Sequence, residues 1–188
     1  MSTGFATRKR ATVTDLLKEP GKAELINGEI IRYMATGHLP SIVSGRIFRK
    51  LADFVDTIGK GFAYPDNVGF TVPELSSGRE SFSPDAAFYS GPPPKNPMRF
   101  VEAAPDFAVE VRSEGDHGPP AEKVMAAKRA DYFEAGTLAV WDVDPEKKEI
   151  RLYRSDAADR PVVFSAGMEA HAEPAVPGWR TSVDWLMA

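Results

Sequence analysis

No cysteine occurs among the 188 residues. That excludes disulfides, thiolate metal sites and a cysteine nucleophile. Histidine is scarce, and His38, His117 and His171 show no ligand spacing such as HExxH. A bound metal is therefore expected to take oxygen ligands, which suits Mg²⁺ or Mn²⁺ rather than zinc. No uncharged apolar run is long enough to span a bilayer, and the opening MSTGFATRKR lacks a signal-peptide apolar region. The expectation is a soluble, cytoplasmic protein with no membrane partner. Positive charge is not in excess either: the net charge is −4. Binding to a phosphate backbone must then come from a local basic patch or from metal ions.

The chain contains enough residues for one domain with a real core, spanning 1–188. Its 43% hydrophobic and 27% charged residues are ordinary for a globular fold. Residues 12–18 begin with a capping-box pattern and stop before Pro20, which predicts a short helix. Asn27-Gly28 lies between KAELI and EIIRYM, a strong hairpin signal. Val43, Ile47, Leu51, Val55 and Ile58 recur at helical spacing, with Arg46, Arg49 and Lys50 on the opposite side. Short strands are predicted near 62–64, 68–72 and 85–90, separated by a polar Ser/Gly loop. Residues 91–99 (GPPPKNPMR) read as a proline-rich surface excursion.

Residues 107–113 read FAVEVRS. In a strand, Phe107, Val109 and Val111 share one face, and Ala108, Glu110 and Arg112 share the other. A helix over 121–135, stopped by Gly136, then leads into the apolar strand LAVWDV. That makes a βαβ crossover with parallel strands. EIRLYR pairs back as a hairpin, VVFSA adds a strand, and TSVDWLM reads as a terminal helix. The expected fold class is α/β, a mixed β-sheet sandwiched by helices.

Asp85 begins a strand within SPDAAFYS, and Glu110 sits mid-strand in FAVEV. Side by side, those strands bring both carboxylates to one mouth of the sheet. Lys128 shares a helix face with Met125 and Tyr132, where a lysine is unexpected. Each residue has a plain structural alternative: a turn aspartate, a surface ion pair from Glu110 to Arg112, and a snorkelling lysine. Together they form a chemical set. Two nearby carboxylates repel each other and are stabilised by a divalent cation, and a lysine beside them can orient water or stabilise phosphoryl charge.

The order ELINGE (24–29), SPDAAF (83–88), PDFAVEV (105–111), K-x-x-x-Y-x-x-x-G (128–136) and VWDVDP (140–145) resembles the Uma-two restriction endonuclease family of the PD-(D/E)XK nuclease superfamily. The resemblance implies a restriction-endonuclease-like core and metal-dependent hydrolysis of phosphodiesters, with DNA as substrate. It implies Asp85 and Glu110 as metal ligands and Lys128 as the migrated catalytic lysine, with Glu24 an auxiliary acid. Pro105-Asp106 is a decoy, on the same strand as Glu110. Arg112, standing where the superfamily has lysine, reads as a phosphate contact or a structural partner. Asp142 and Asp144 read as strand-end and turn acids. An inactive nuclease-fold module that binds nucleic acid or another partner is the alternative, and a homodimer stays open.

Overall fold

A computed structural model describes residues 10–188. The MSTGFATRKR reading therefore falls, apart from Arg10, outside the described residues. Thr12 caps α1 (Val13–Leu16) as a capping box: its hydroxyl accepts from the Asp15 N–H, and the Asp15 carboxylate accepts from the Thr12 N–H. Asn27 and Gly28, both at positive φ, turn β1 (Ala23–Ile26) into β2 (Glu29–Arg32). The long helix α2 (His38–Ile58) buries Val43, Ile47 and Leu51 and ends at a left-handed Gly59. Four short strands follow: β3 (Phe62–Pro65), β4 (Phe70–Thr71), β5 (Ser81–Phe82) and β6 (Ala86–Tyr89).

Then come β7 (Phe107–Val111), α3 (Pro119–Glu134), β8 (Ala139–Asp144) and β9 (Glu149–Arg154). The chain continues through β10 (Ala157–Phe164), β11 (Glu169–His171), β12 (Arg180–Ser182) and α4 (Val183–Leu186). The main sheet has the order β10-β9-β8-β7-β6-β3. Only the β7–β8 pair in it is parallel, as the crossover through α3 requires. The mixed sheet with flanking helices matches the expected α/β class.

The alternation of β7 decides what each face does. Phe107, Val109 and Val111 pack with Trp141 and Trp179 against Val43, Ile47 and Leu51 of α2. Trp141 is fully buried, with its ring edge-on to Phe107 at 5.3 Å. Truncating it to alanine would cost about 3–5 kcal/mol. On the other face, Ala108 and Val140 meet Phe70, Phe82 and Tyr132 of α3. The Phe82 and Tyr132 rings stack at 4.1 Å and 16°. Glu110 projects from this second face.

The structure adds elements that the sequence pattern lacks. Strand β5 falls in the stretch read as a polar Ser/Gly loop. It is two residues long, and its polarity is spent internally, because the Ser81 hydroxyl accepts the Leu25 N–H at 2.7 Å. Strands β11 and β12 are three residues each, too short to display a period. Strand β10 starts earlier than VVFSA and runs through Pro161, which an edge strand tolerates.

Candidate active site

Asp85 stands where β6 meets β7. Its N–H donates to the Val109 carbonyl at 2.9 Å, and its Oδ2 accepts from the Val111 N–H at 2.7 Å. The backbone of β7 thus fixes the carboxylate and leaves Oδ1 facing the cleft. Glu110 reaches the same cleft from the α3-facing side of β7. Lys128 Nζ lies 2.9 Å from Glu110, and the Tyr132 hydroxyl, one helical turn further, donates to Glu110 Oε1 at 2.6 Å. The structure brings Asp85, Glu110 and Lys128 together along one cleft of about 510 Å³.

Glu24 enters beneath them from β1 and is fully buried. Its Oε1 accepts from Lys128 Nζ at 2.9 Å and the Ser83 N–H at 2.9 Å. Its Oε2 accepts from the Tyr33 hydroxyl at 2.8 Å and from Arg79. Burial alone would raise its pKa, but Lys128 and Arg79 reverse that and hold the carboxyl at about 2. Four donors leave it little capacity for a metal, so Glu24 supports Lys128 from below. Arg79 in turn donates to Asp131 of α3 at 2.7 Å.

Lysine 128 is held as an ammonium. Burial favours the neutral amine, but Glu110 and Glu24 outweigh it and raise the pKa above its ordinary value. It can therefore stabilise negative charge; it is not a base while both glutamates hold it. The phenol of Tyr33 is raised by burial and by Glu24, and that of Tyr132 by burial and by Glu110, so both remain donors.

Lys22, just before β1, lies 2.6 Å from Asp85 Oδ1 and 2.7 Å from Asp66 Oδ1. These ion pairs join five carboxylates (Glu24, Asp66, Asp85, Glu110, Asp131) to three cations (Lys22, Arg79, Lys128). Acids outnumber cations in these pairs by two. The pKa of Glu110 is pushed up, first by burial and then by Asp85 and Glu24, in spite of Lys128 and Lys22. Among the described residues no group of three or more His, Cys, Asp or Glu side chains forms a ready metal cage. Asp85 and Glu110 nonetheless suit a hard divalent cation such as Mg²⁺. That ion commonly takes one or two carboxylates and completes its shell with water and phosphate oxygens.

A family model described as "Putative restriction endonuclease" (Uma2) matches residues 11–184. The chain belongs to the Uma2 family. A crystal structure of a "putative nuclease belonging to DUF820" from Anabaena variabilis shares the fold. Its TM-score is 0.73, at 19% identity, covering 94% of this chain and 97% of that one. At that identity the likeness speaks for fold alone. No curated protein matches the chain.

Of the two readings of Arg112, phosphate contact or structural partner, its contacts favour the second. Its side chain is 5% exposed, and its guanidinium donates to both Asp142 oxygens at 2.6 Å, to Glu122 at 2.6 Å and to the Asp116 carbonyl at 3.1 Å. Four of its five N–H donors are engaged inside the protein. Asp142 is accordingly not a simple strand-end acid but the buried centre of this network, also held by Arg129 at 2.9 Å. Asp144 does serve a turn, accepting from the Lys147 N–H at 3.0 Å.

Arg46, Arg49 and Lys50 gather round Trp185, with Lys50 Nζ 4.6 Å from the ring. Their helix packs on the Phe107–Val109 face, across the sheet from Glu110, so they do not line this cleft. Asp106 accepts from the Ser90 N–H beside the first residue of β7, away from the acids. Lys22, Arg79, Asp131 and Tyr33 were missed in sequence, and no local pattern marks them. No helix among the described residues is long and apolar enough to cross a membrane.

Proposed function

We propose that this cytoplasmic chain hydrolyses phosphodiester bonds in DNA as an endonuclease that depends on Mg²⁺ or Mn²⁺. The observation carrying the reading is the convergence of Asp85, Glu110 and Lys128 on one cleft. Asp85 Oδ1 and Glu110 would hold the cation. When bound, the cation lowers the pKa of a water and draws charge from a phosphoryl oxygen. Lys128 keeps its proton and faces the charge that develops on the phosphoryl group. Glu24 keeps Lys128 charged and in place, and Tyr132 fixes the orientation of Glu110. The Val111 N–H fixes Asp85.

The test is incubation of supercoiled plasmid and of single-stranded DNA with Mg²⁺, Mn²⁺ or EDTA. Cleavage is expected with either metal, and it is expected to stop in EDTA and in Asp85→Asn or Glu110→Gln. Each substitution keeps the shape and removes an anionic ligand. Cleavage in EDTA, or full activity in either variant, would refute the assignment. Binding of DNA without turnover would identify an inactive module of the same fold.

A further inference from the structure

We propose that Lys22 is a positioning residue that occupies Asp85 before the divalent cation arrives and sets how tightly the cation binds. The inference rests on the metal-dependent reading above. Asp85 Oδ2 accepts the Val111 N–H at 2.7 Å, and Oδ1 accepts from Lys22 at 2.6 Å. A cation that approaches Oδ1 must therefore compete with an ammonium already in contact with it.

The surroundings supply a place for that ammonium to go. Lys22 Nζ is already 2.7 Å from Asp66 Oδ1. Asp66 is steadied by the N–H of Asn67 at 2.7 Å, in a turn where Asn67 takes a positive φ. The side chain of Asp66 is 37% exposed against 13% for Asp85, so a shift toward Asp66 carries the ammonium toward water. The backbone need not follow, because the Lys22 carbonyl accepts the Tyr33 N–H at 3.0 Å and ties this segment to the β1–β2 hairpin. Released from Asp85, Lys22 remains at the cleft wall as a positive charge facing an anionic ligand. Lys22 and Lys128 thus divide the work: one leaves its acid, and the other, wedged between Glu24 and Glu110, keeps both.

Mn²⁺ binding to the full chain, without nucleic acid, tests this by paramagnetic resonance of the free ion. Lys22→Met removes the competitor and is expected to tighten Mn²⁺ roughly three- to tenfold, the scale of one partly buried ion pair. Asp66→Asn removes the retreat, commits Lys22 to Asp85 and is expected to weaken Mn²⁺ by a similar factor. Lys18→Met, which removes an equal charge at an exposed pair with Asp15, is expected to leave the affinity unchanged. Lys22→Gln serves as a second replacement should the methionine variant fold poorly. Parent and both Lys22 and Asp66 variants binding Mn²⁺ equally would overturn the role of Lys22 and leave the nuclease reading standing. Tightening in Lys18→Met as large as in Lys22→Met would reduce the effect to bulk charge and also overturn it. No Mn²⁺ uptake by the parent or by Lys22→Met would overturn both.

Discussion

Lys128 carries two glutamates, and replacing each by glutamine is expected to have opposite consequences for stability. Glu24 is fully buried, yet Lys128 and Arg79 hold its carboxyl at about 2 against an ordinary 4.5. The folded-state pKa lies below the unfolded one, so the ionised form stabilises the fold. That contribution is complete above pH 4.5 and is lost as the pH falls toward 2. It amounts to roughly 3 kcal/mol, a large share of the ~5–15 kcal/mol typical of a domain. Glu24→Gln also leaves two buried cations short of an acid, and a cost of about 3–5 kcal/mol at pH 7 is expected. Glu110 differs in sign. Burial, Asp85 and Glu24 disfavour its charge, and Lys128 and Lys22 only partly offset them. Glu110→Gln keeps an acceptor for the Tyr132 hydroxyl and relieves repulsion. It is expected to stay within ~1 kcal/mol of the parent or to exceed it, as active-site neutralisation often does. Urea unfolding at pH 7 in EDTA measures both, and repeating the parent and Glu24→Gln between pH 5 and pH 2 isolates the acid limb. Mn²⁺ should then stabilise the parent by RT ln(1 + [L]/Kd) and Glu110→Gln far less. Equal destabilisation by the two glutamines, with no Mn²⁺ shift in the parent, would refute the reasoning: the site would be a closed ion network.

Lys128→Met is expected to lower turnover by ~10²-fold or more, the scale of a preorganised charge-stabilising group, in single-turnover cleavage assays. Lys128→Arg should recover part of that loss if charge rather than proton transfer is the role. Arg112→Met is expected to destabilise by about 3–5 kcal/mol, because Asp142 stays buried with one partner fewer. At temperatures where Arg112→Met remains folded by circular dichroism, its salt dependence of DNA binding should match the parent, which a phosphate contact would not allow.

Much of the site was legible in one strand. The two-residue period of FAVEV puts Glu110 opposite the Phe107–Val109 core face, and the structure keeps that division. Helical spacing likewise put Lys128 and Tyr132 on one side of α3, where both reach Glu110. What periodicity cannot give is depth. Arg112 shares the face of Glu110 but lies under the start of α3, where Glu122 and Asp142 close over it. Nor does it give partners from afar. Arg79 meets Glu24 across 55 residues and Lys22 meets Asp85 across 63, contacts created only when β1 and β5 pack beneath α3. The basic face of α2 was legible as a pattern, but a helix pattern does not say on which side of a sheet it will pack.

The ring stack of Tyr132 on Phe82 has a consequence for how such a site changes over generations. An acid and a lysine on a single strand inherit a spacing dictated by the backbone. Here the acid rides on β7 and the lysine on α3, and the seating of α3 rests in part on an aromatic contact at 4.1 Å. Their separation is therefore a quantity that drift in apolar residues can alter while every charged residue is left intact. Substitutions in Phe82 or its neighbours would shift that separation without changing any charge. A comparison of charged positions alone would score a lineage carrying them as unchanged.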